Sequence, residues 1–123
     1  MILVDSSIWI SHFRSADARL ADLLEHHQVV THPFVIGELA CGVLPGHRAP
    51  VLAALAELPE SPMAQHGEVL ELVERRQLAG SGIGWLDAHL IAAALLGKVL
   101  LWTHDRPLAR AARRLGLTPA WSS

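Results

Sequence analysis

The chain has 123 residues, of which 51% are hydrophobic and 18% are charged, and its formal net charge is −2. This length fits one domain with a core of its own, and the composition excludes a disordered chain. The small negative charge excludes nucleic-acid binding through global charge, so such binding needs a local basic patch. The single cysteine, Cys41, excludes an internal disulfide and favours the cytoplasm. We expect neither a signal peptide nor a membrane-spanning segment, since no apolar run is long enough.

The first stretch of the chain is a short apolar run, residues 1–4, that leads directly into Asp5. A run of four apolar residues is too short for a helix and predicts a strand buried on both faces, as in a parallel sheet. Asp5 then lies at the carboxyl end of this strand, where open α/β sheets bind their ligands. The alternative is that Asp5 only caps the helix that begins near Ser7.

Apolar periodicity and turn residues predict the remaining elements. We predict strands over 28–31 and 99–102, and helices over 8–13, 16–26, 33–41, 51–58, 65–78, 85–96 and 108–115. Because strands alternate with helices, the fold class is α/β with a parallel sheet. The glycines of residues 80–84 predict a flexible turn and not a phosphate-binding loop, because they follow a helix and no Gly-Lys-Ser/Thr closes them.

Three further expectations concern burial. Cys41 is expected in the core, because its helix is apolar. The histidines near the second strand are expected at the surface, because their spacing is not a zinc pattern: His26, His27 and His32. The buried side of the helix over 65–78 is expected to consist of Val69, Leu70, Val73 and Leu78.

Four acidic residues occupy comparable places in the predicted fold. Asp105 follows the strand over 99–102, as Asp5 follows the first strand. Asp87 lies in the first turn of a helix, where stabilisation of the helix dipole is its ordinary role. Glu38 lies within an apolar helix, so it reaches the surface, pairs with a cation or binds a metal. If the four acids meet, Asp5, Glu38, Asp87 and Asp105 cannot all ionise without a cation.

A hard divalent ion resolves such repulsion, since Mg²⁺ and Mn²⁺ prefer oxygen ligands. Acids around one or two such ions support phosphodiester hydrolysis by activating a water and stabilising charge on the phosphoryl oxygens. Ser6 and Thr103 are candidates to orient the ligands. The local basic patch would come from the last helix and its start, which carry four arginines: Arg106, Arg110, Arg113 and Arg114. They are candidates for contact with nucleic-acid phosphates.

Four motifs together resemble the PIN-domain ribonucleases, and more closely the VapC toxins of VapBC type II toxin–antitoxin systems. They are Asp5-Ser6-Ser7-Ile8-Trp9-Ile10, Glu38-Leu39, the run from Gly84 to Ala94, and Trp102-Thr103-His104-Asp105. The resemblance covers essentially the whole chain and implies a single PIN domain over residues 1–123. It implies a three-layer fold in which helices flank a short parallel sheet of about four or five strands.

The same resemblance implies the site and the partners. It implies metal ligation and catalysis by Asp5, Glu38, Asp87 and Asp105, with Ser6 and Thr103 in support. It implies a Mg²⁺- or Mn²⁺-dependent endoribonuclease, a homodimer, and inhibition by a cognate VapB antitoxin. Because sequence-specific RNA recognition targets unpaired loops, a structured RNA such as tRNA or rRNA is the expected substrate.

Other functions remain open at this stage. A receiver-like module expects a lysine at the carboxyl end of a strand, whereas the only lysine, Lys98, precedes its strand. A phosphatase with an aspartate nucleophile expects a second aspartate where Ser7 stands. A PIN scaffold that only binds a partner expects a missing acid, and all four are present.

Overall fold

The computed structural model describes residues 1–122, which form three strands and seven helices. The strands are β1 (Ile2–Val4), β2 (Val29–Val30) and β3 (Leu100–Trp102). The helices are α1 (Ser6–Arg14), α2 (Ala18–Glu25), α3 (Pro33–Ala40), α4 (Arg48–Ala56), α5 (His66–Arg75), α6 (Trp85–Gly97) and α7 (Arg106–Arg114). The predicted α/β class is confirmed.

The sheet has the order β2-β1-β3, and both pairings are parallel. In the central strand, Ile2 lies opposite Val29 and Leu100, while Val4 lies opposite Trp102. All three residues of β1 are buried, as expected of a strand covered on both faces. Parallel pairing brings the carboxyl ends of the strands to one edge of the sheet, so the residues after Val4 and Trp102 are neighbours.

The described part of the chain has three strands and not the four or five that we expected. A further contact is a single parallel bridge between Thr31 and Glu60. Pro59 and Pro62 flank Glu60 closely, and proline has no N–H to donate to a ladder. The segment therefore joins the sheet edge at one residue and does not extend into a strand.

Proline also accounts for a wrong helix boundary. We expected a helix to start after Pro50, but α4 begins at Arg48, whereas α7 begins at Arg106, beside the Pro107 that was expected to open it. Both prolines lie in the first turn, where the missing N–H has no partner in the helix and the fixed φ is already helical. Helix α1 begins at Ser6, two residues before the expected start at residue 8, and Asp5 occupies its N-cap position.

Three burial expectations are wrong. His32 is fully buried at the N-cap of α3, where its Nδ1 accepts the Phe34 N–H at 3.0 Å. Cys41 is exposed, because it ends α3 at the surface. Leu70 is exposed, whereas Val69 is fully buried and packs against α6.

The main core joins the sheet to six of the helices, with Leu3, Ile8, Val35, Leu90 and Leu108 among its least exposed side chains. A smaller cluster holds α5 to α6 through Ala64, Val69, Ala88 and Ala92. None of the helices within residues 1–122 is long and apolar enough to cross a membrane.

Candidate active site

Asp5 is a buried carboxylate at the carboxyl end of β1, with an exposed fraction of 5%. It occupies the N-cap position of α1, yet its side chain makes no capping hydrogen bond. Instead, its Oδ2 accepts two hydroxyl hydrogen bonds, from Thr103 at 2.7 Å and from Ser7 at 2.8 Å. A buried carboxylate that does not cap its helix has to be explained by another role, so the capping alternative is wrong.

Glu38 is brought to Asp5 by Ser6. The Ser6 hydroxyl lies 3.1 Å from Glu38 Oε2 and 3.5 Å from Asp5 Oδ1, and it donates to the glutamate over the shorter distance. Although Glu38 is exposed, loss of hydration at its carboxyl group raises its pKa. The hydrogen bond from Ser6 opposes this rise, while the negative charges of Asp5 and Asp87 add to it.

Asp87 lies in the first turn of α6, and its Oδ2 accepts the Gly84 N–H at 3.2 Å. Burial raises the pKa of Asp87, and the charges of Asp5 and Asp105 raise it further, against the hydrogen bond from Gly84. Asp87 therefore stabilises the start of α6, as its ordinary role predicts, and the charges of two other candidate acids also act on it.

Asp105 is the most peripheral of the four acids. It is exposed and caps α7, because its Oδ2 accepts the Leu108 N–H at 3.1 Å. Its own backbone N–H donates to Thr103 Oγ1 at 3.0 Å, which ties the start of α7 to the hydroxyl that holds Asp5.

The chemistry of these side chains fits a hard divalent cation. All four are carboxylates, and the pKa values of Glu38 and Asp87 are raised by burial and, to a lesser degree, by repulsion from their acidic neighbours, which a cation would relieve. They do not form a preassembled cluster, however: within residues 1–122 no three His, Cys, Asp or Glu side chains already stand as a ligand set. Two of the carboxylates, those of Asp87 and Asp105, are instead engaged in helix caps. The four-acid metal site stays a prediction.

The predicted basic patch divides into two parts. Arg106, Arg110 and Arg113 line a groove that also contains Thr103 and His104. Arg114 faces away from this groove, because its guanidinium donates to the backbone carbonyls of Arg76 and Gln77. The expected RNA contact is therefore retained for three arginines, while Arg114 joins α7 to the end of α5.

Sequence reasoning gave no site role to Ser7 and did not foresee the histidine contacts. Burial and the neighbouring His89 lower the pKa of His32 to about 4. Burial lowers the pKa of His89 as well. Rings from His32, Phe34, His89, Trp85 and His66 contact one another in series. The Asp-Ser-Ser spacing was the available signal for Ser7, whereas nothing local indicated the burial of His32.

Comparison with known proteins identifies the family to which this architecture belongs. The family model described as PIN domain matches residues 2–114. The chain belongs to the PIN-domain family. Within this family it is of the VapC type, since it is 48% identical over 121 residues to "Ribonuclease VapC32" of Mycobacterium tuberculosis, strain H37Rv. That alignment covers 98% of this chain and 97% of the relative, and the protein of the same name from strain CDC 1551 matches equally well.

A solved structure agrees with the PIN fold. The crystal structure of PAE2754 from Pyrobaculum aerophilum superposes with a TM-score of 0.57, covering 89% of this chain and 78% of the other. At 21% identity this likeness concerns the fold alone. The resemblance drawn from the sequence motifs to the PIN domain and the VapC type is confirmed.

Proposed function

We propose that this PIN-domain chain is a Mg²⁺- or Mn²⁺-dependent endoribonuclease toxin of the VapC type. The observation that carries the proposal is the setting of Asp5. Its carboxylate is buried and does not cap its helix. Ser6 connects it to Glu38, and its charge raises the pKa of Asp87. The 48% identity to proteins named Ribonuclease VapC32 supports the activity.

The residues that would hold the cation are Asp5, Glu38 and Asp87, with Asp105 at the margin. A bound Mg²⁺ or Mn²⁺ would lower the pKa of a bound water and stabilise charge on the phosphoryl oxygens. The chain supplies orientation: Thr103 fixes Asp5 Oδ2, and Ser6 holds Glu38 beside it. Arg106, Arg110 and Arg113 would bind backbone phosphates next to the acids, which offsets the net negative charge of the chain.

Replacement of Asp5 tests the metal site. Asp5→Asn keeps the shape of the side chain and removes the charge, so it should lower both Mn²⁺ affinity and RNA cleavage. Removal of an outer-shell partner alone costs about 10–100-fold, so the loss of a ligand should cost at least about 100-fold in cleavage. Asp22→Asn, an exposed acid on α2, is the matched control. Cleavage of a structured RNA is measured with Mg²⁺, with Mn²⁺ and with EDTA.

The result also separates this function from the alternatives. Cleavage by Asp5→Asn at the rate of the unchanged chain would refute the metal site. Absence of cleavage by the unchanged chain, with Mn²⁺ still bound, would favour a PIN scaffold that only binds a partner. A receiver-like module is not favoured by the family assignment.

We further propose that a VapB-type antitoxin covers a groove between α1 and α3. Ile10, Phe13, Leu39 and Val43 line this groove, and Glu38 lines it as well. Val43 is completely exposed, so an apolar antitoxin segment would cover surface that is otherwise in water. Val43→Asp should weaken inhibition by the antitoxin without changing cleavage by the free toxin.

Toxin, antitoxin and RNA would meet in the cytoplasm, where the exposed thiol of Cys41 stays reduced.

The homodimer is proposed to form through α3 and the start of α6. Phe34, Gly37 and Cys41 of α3 line a shallow groove together with Leu86, which is exposed although apolar. A second copy would cover this surface, which lies beside Glu38 of the candidate active site. Leu86→Glu should convert a dimer to a monomer in light scattering, whereas Leu70→Glu, an exposed leucine on α5, should not.

A further inference from the structure

The Ser7 hydroxyl, in the first turn of α1, contacts both the end of β1 and the loop between β3 and α7. Its Oγ lies 2.8 Å from Asp5 Oδ2, 3.0 Å from the backbone N of His104, and 3.3 Å from Thr103 Oγ1. These contacts connect the end of β1 to the loop between β3 and α7, across 97 residues of sequence. Neither the position of Ser7 in the first turn of α1 nor the packing of that helix requires them.

The hydrogen bonds around Ser7 favour one arrangement of protons. The backbone N–H of His104 can only donate, so Ser7 Oγ accepts from it. Ser7 gives its single proton to Asp5 Oδ2 at 2.8 Å and not to Thr103 Oγ1 at 3.3 Å, because the carboxylate is the closer and stronger acceptor. The Thr103 hydroxyl repeats this arrangement, since it accepts from the Asp105 N–H and donates to the same carboxylate oxygen. Two chains of hydrogen bonds, each from a backbone amide through a hydroxyl, therefore converge on Asp5 Oδ2.

The two oxygens of Asp5 consequently have different surroundings. Oδ2 accepts two charge-assisted hydrogen bonds shorter than 3 Å. Among the described residues 1–122, Oδ1 has only the Ser6 hydroxyl at 3.5 Å, and that proton is directed to Glu38. Oδ1 is thus the oxygen of Asp5 that remains available on the side of the other acids.

We infer that Ser7 is a positioning residue of the candidate metal site, an inference that rests on the proposed function. Ser7 and Thr103 together hold Asp5 so that it offers Oδ1 alone to a divalent cation. Through the His104 N–H, Ser7 also fixes the loop that carries Asp105 relative to Asp5. Outer-shell groups of this kind determine the orientation of a ligand and so contribute to metal affinity.

Mn²⁺ binding to purified full-length variants tests this inference, with calorimetric titration as the readout. Ser7→Ala removes the donor and the acceptor while alanine favours the helix, so affinity should fall about 10–100-fold. Ser7→Thr restores the hydroxyl and should stay within about threefold of the unchanged chain. Ser11→Ala, one turn further along α1 and outside the site, is the control and should bind normally. Circular dichroism at the titration temperature verifies that each variant is folded.

The outcomes separate the inference from the proposed function. If Asp5→Asn loses Mn²⁺ binding while Ser7→Ala binds as the unchanged chain does, the role of Ser7 is refuted and the metal site stands. If a folded Ser7→Thr binds as weakly as Ser7→Ala, the hydroxyl is not what matters and the inference fails. If Asp5→Asn binds Mn²⁺ normally, the metal site itself is wrong.

Discussion

The burial of His32 predicts a specific loss of stability in acid. The ring is fully buried at the N-cap of α3, and its Nδ1 accepts the Phe34 N–H. Neutral His32 therefore carries its proton on Nε2, which has no hydrogen-bond partner within residues 1–122. Protonation of Nδ1 would place a charge in the core and remove the acceptor that caps the helix carrying Glu38.

The magnitude follows from the lowered pKa. The unfolded chain protonates this histidine near its ordinary pKa of 6.5, whereas the folded protein does so only at about pH 4. Stability from His32 is present above pH 6.5 and is lost as the pH falls from 6.5 to 4. At about 1.4 kcal/mol per pH unit, the full loss is about 3 kcal/mol.

The assay is urea unfolding followed by tryptophan fluorescence at several pH values between 7.5 and 4.5. His32→Asn retains an acceptor for the helix cap and removes the titration, so its stability should fall less steeply with acid than that of the unchanged chain. The difference in slope should approach about 1.4 kcal/mol per pH unit. His27→Asn is the control, because His27 is exposed and its positive φ suits asparagine. Equal slopes for His32→Asn and the unchanged chain would refute the reasoning.

Two further predictions concern the candidate site. Burial, and to a lesser degree the charges of Asp5 and Asp87, raise the pKa of Glu38, so its ionisation costs folding stability above its ordinary pKa of 4.5. Without divalent cations, Glu38→Gln should therefore raise the unfolding midpoint at pH 7 but not at pH 4, and only by a small amount because solvent screens this exposed side chain. No rise at pH 7 would contradict the raised pKa of Glu38. Arg110→Ala should weaken RNA binding and reduce the slope of log affinity against log salt by about 0.7–0.9, as for one lost phosphate contact. Arg114→Ala should leave that slope unchanged, because its guanidinium is bound to backbone carbonyls of α5 and the residues after it.

Local sequence patterns were sufficient for the framework of this fold. The apolar runs before Asp5 and Thr103 predicted buried parallel strands, and parallel pairing by itself places both residues at one edge of the sheet. Helix positions followed from periodicity, although starts were wrong by two or three residues, as in α1, α2 and α4. These features depend on neighbours in sequence, so the sequence alone determines them.

Tertiary structure decided the features that depend on which helix faces touch. Ser6 meets Glu38 across 32 residues, and Thr103 meets Asp5 across 98, and no periodicity encodes such pairs. The same holds for the burial of His32 and for the direction of Arg114, whose partners lie 37 and 38 residues away. Local propensity determines where an element begins and which of its faces is apolar. The packing of α1, α3 and α7 around the sheet edge determines which polar atoms then come within hydrogen-bonding distance.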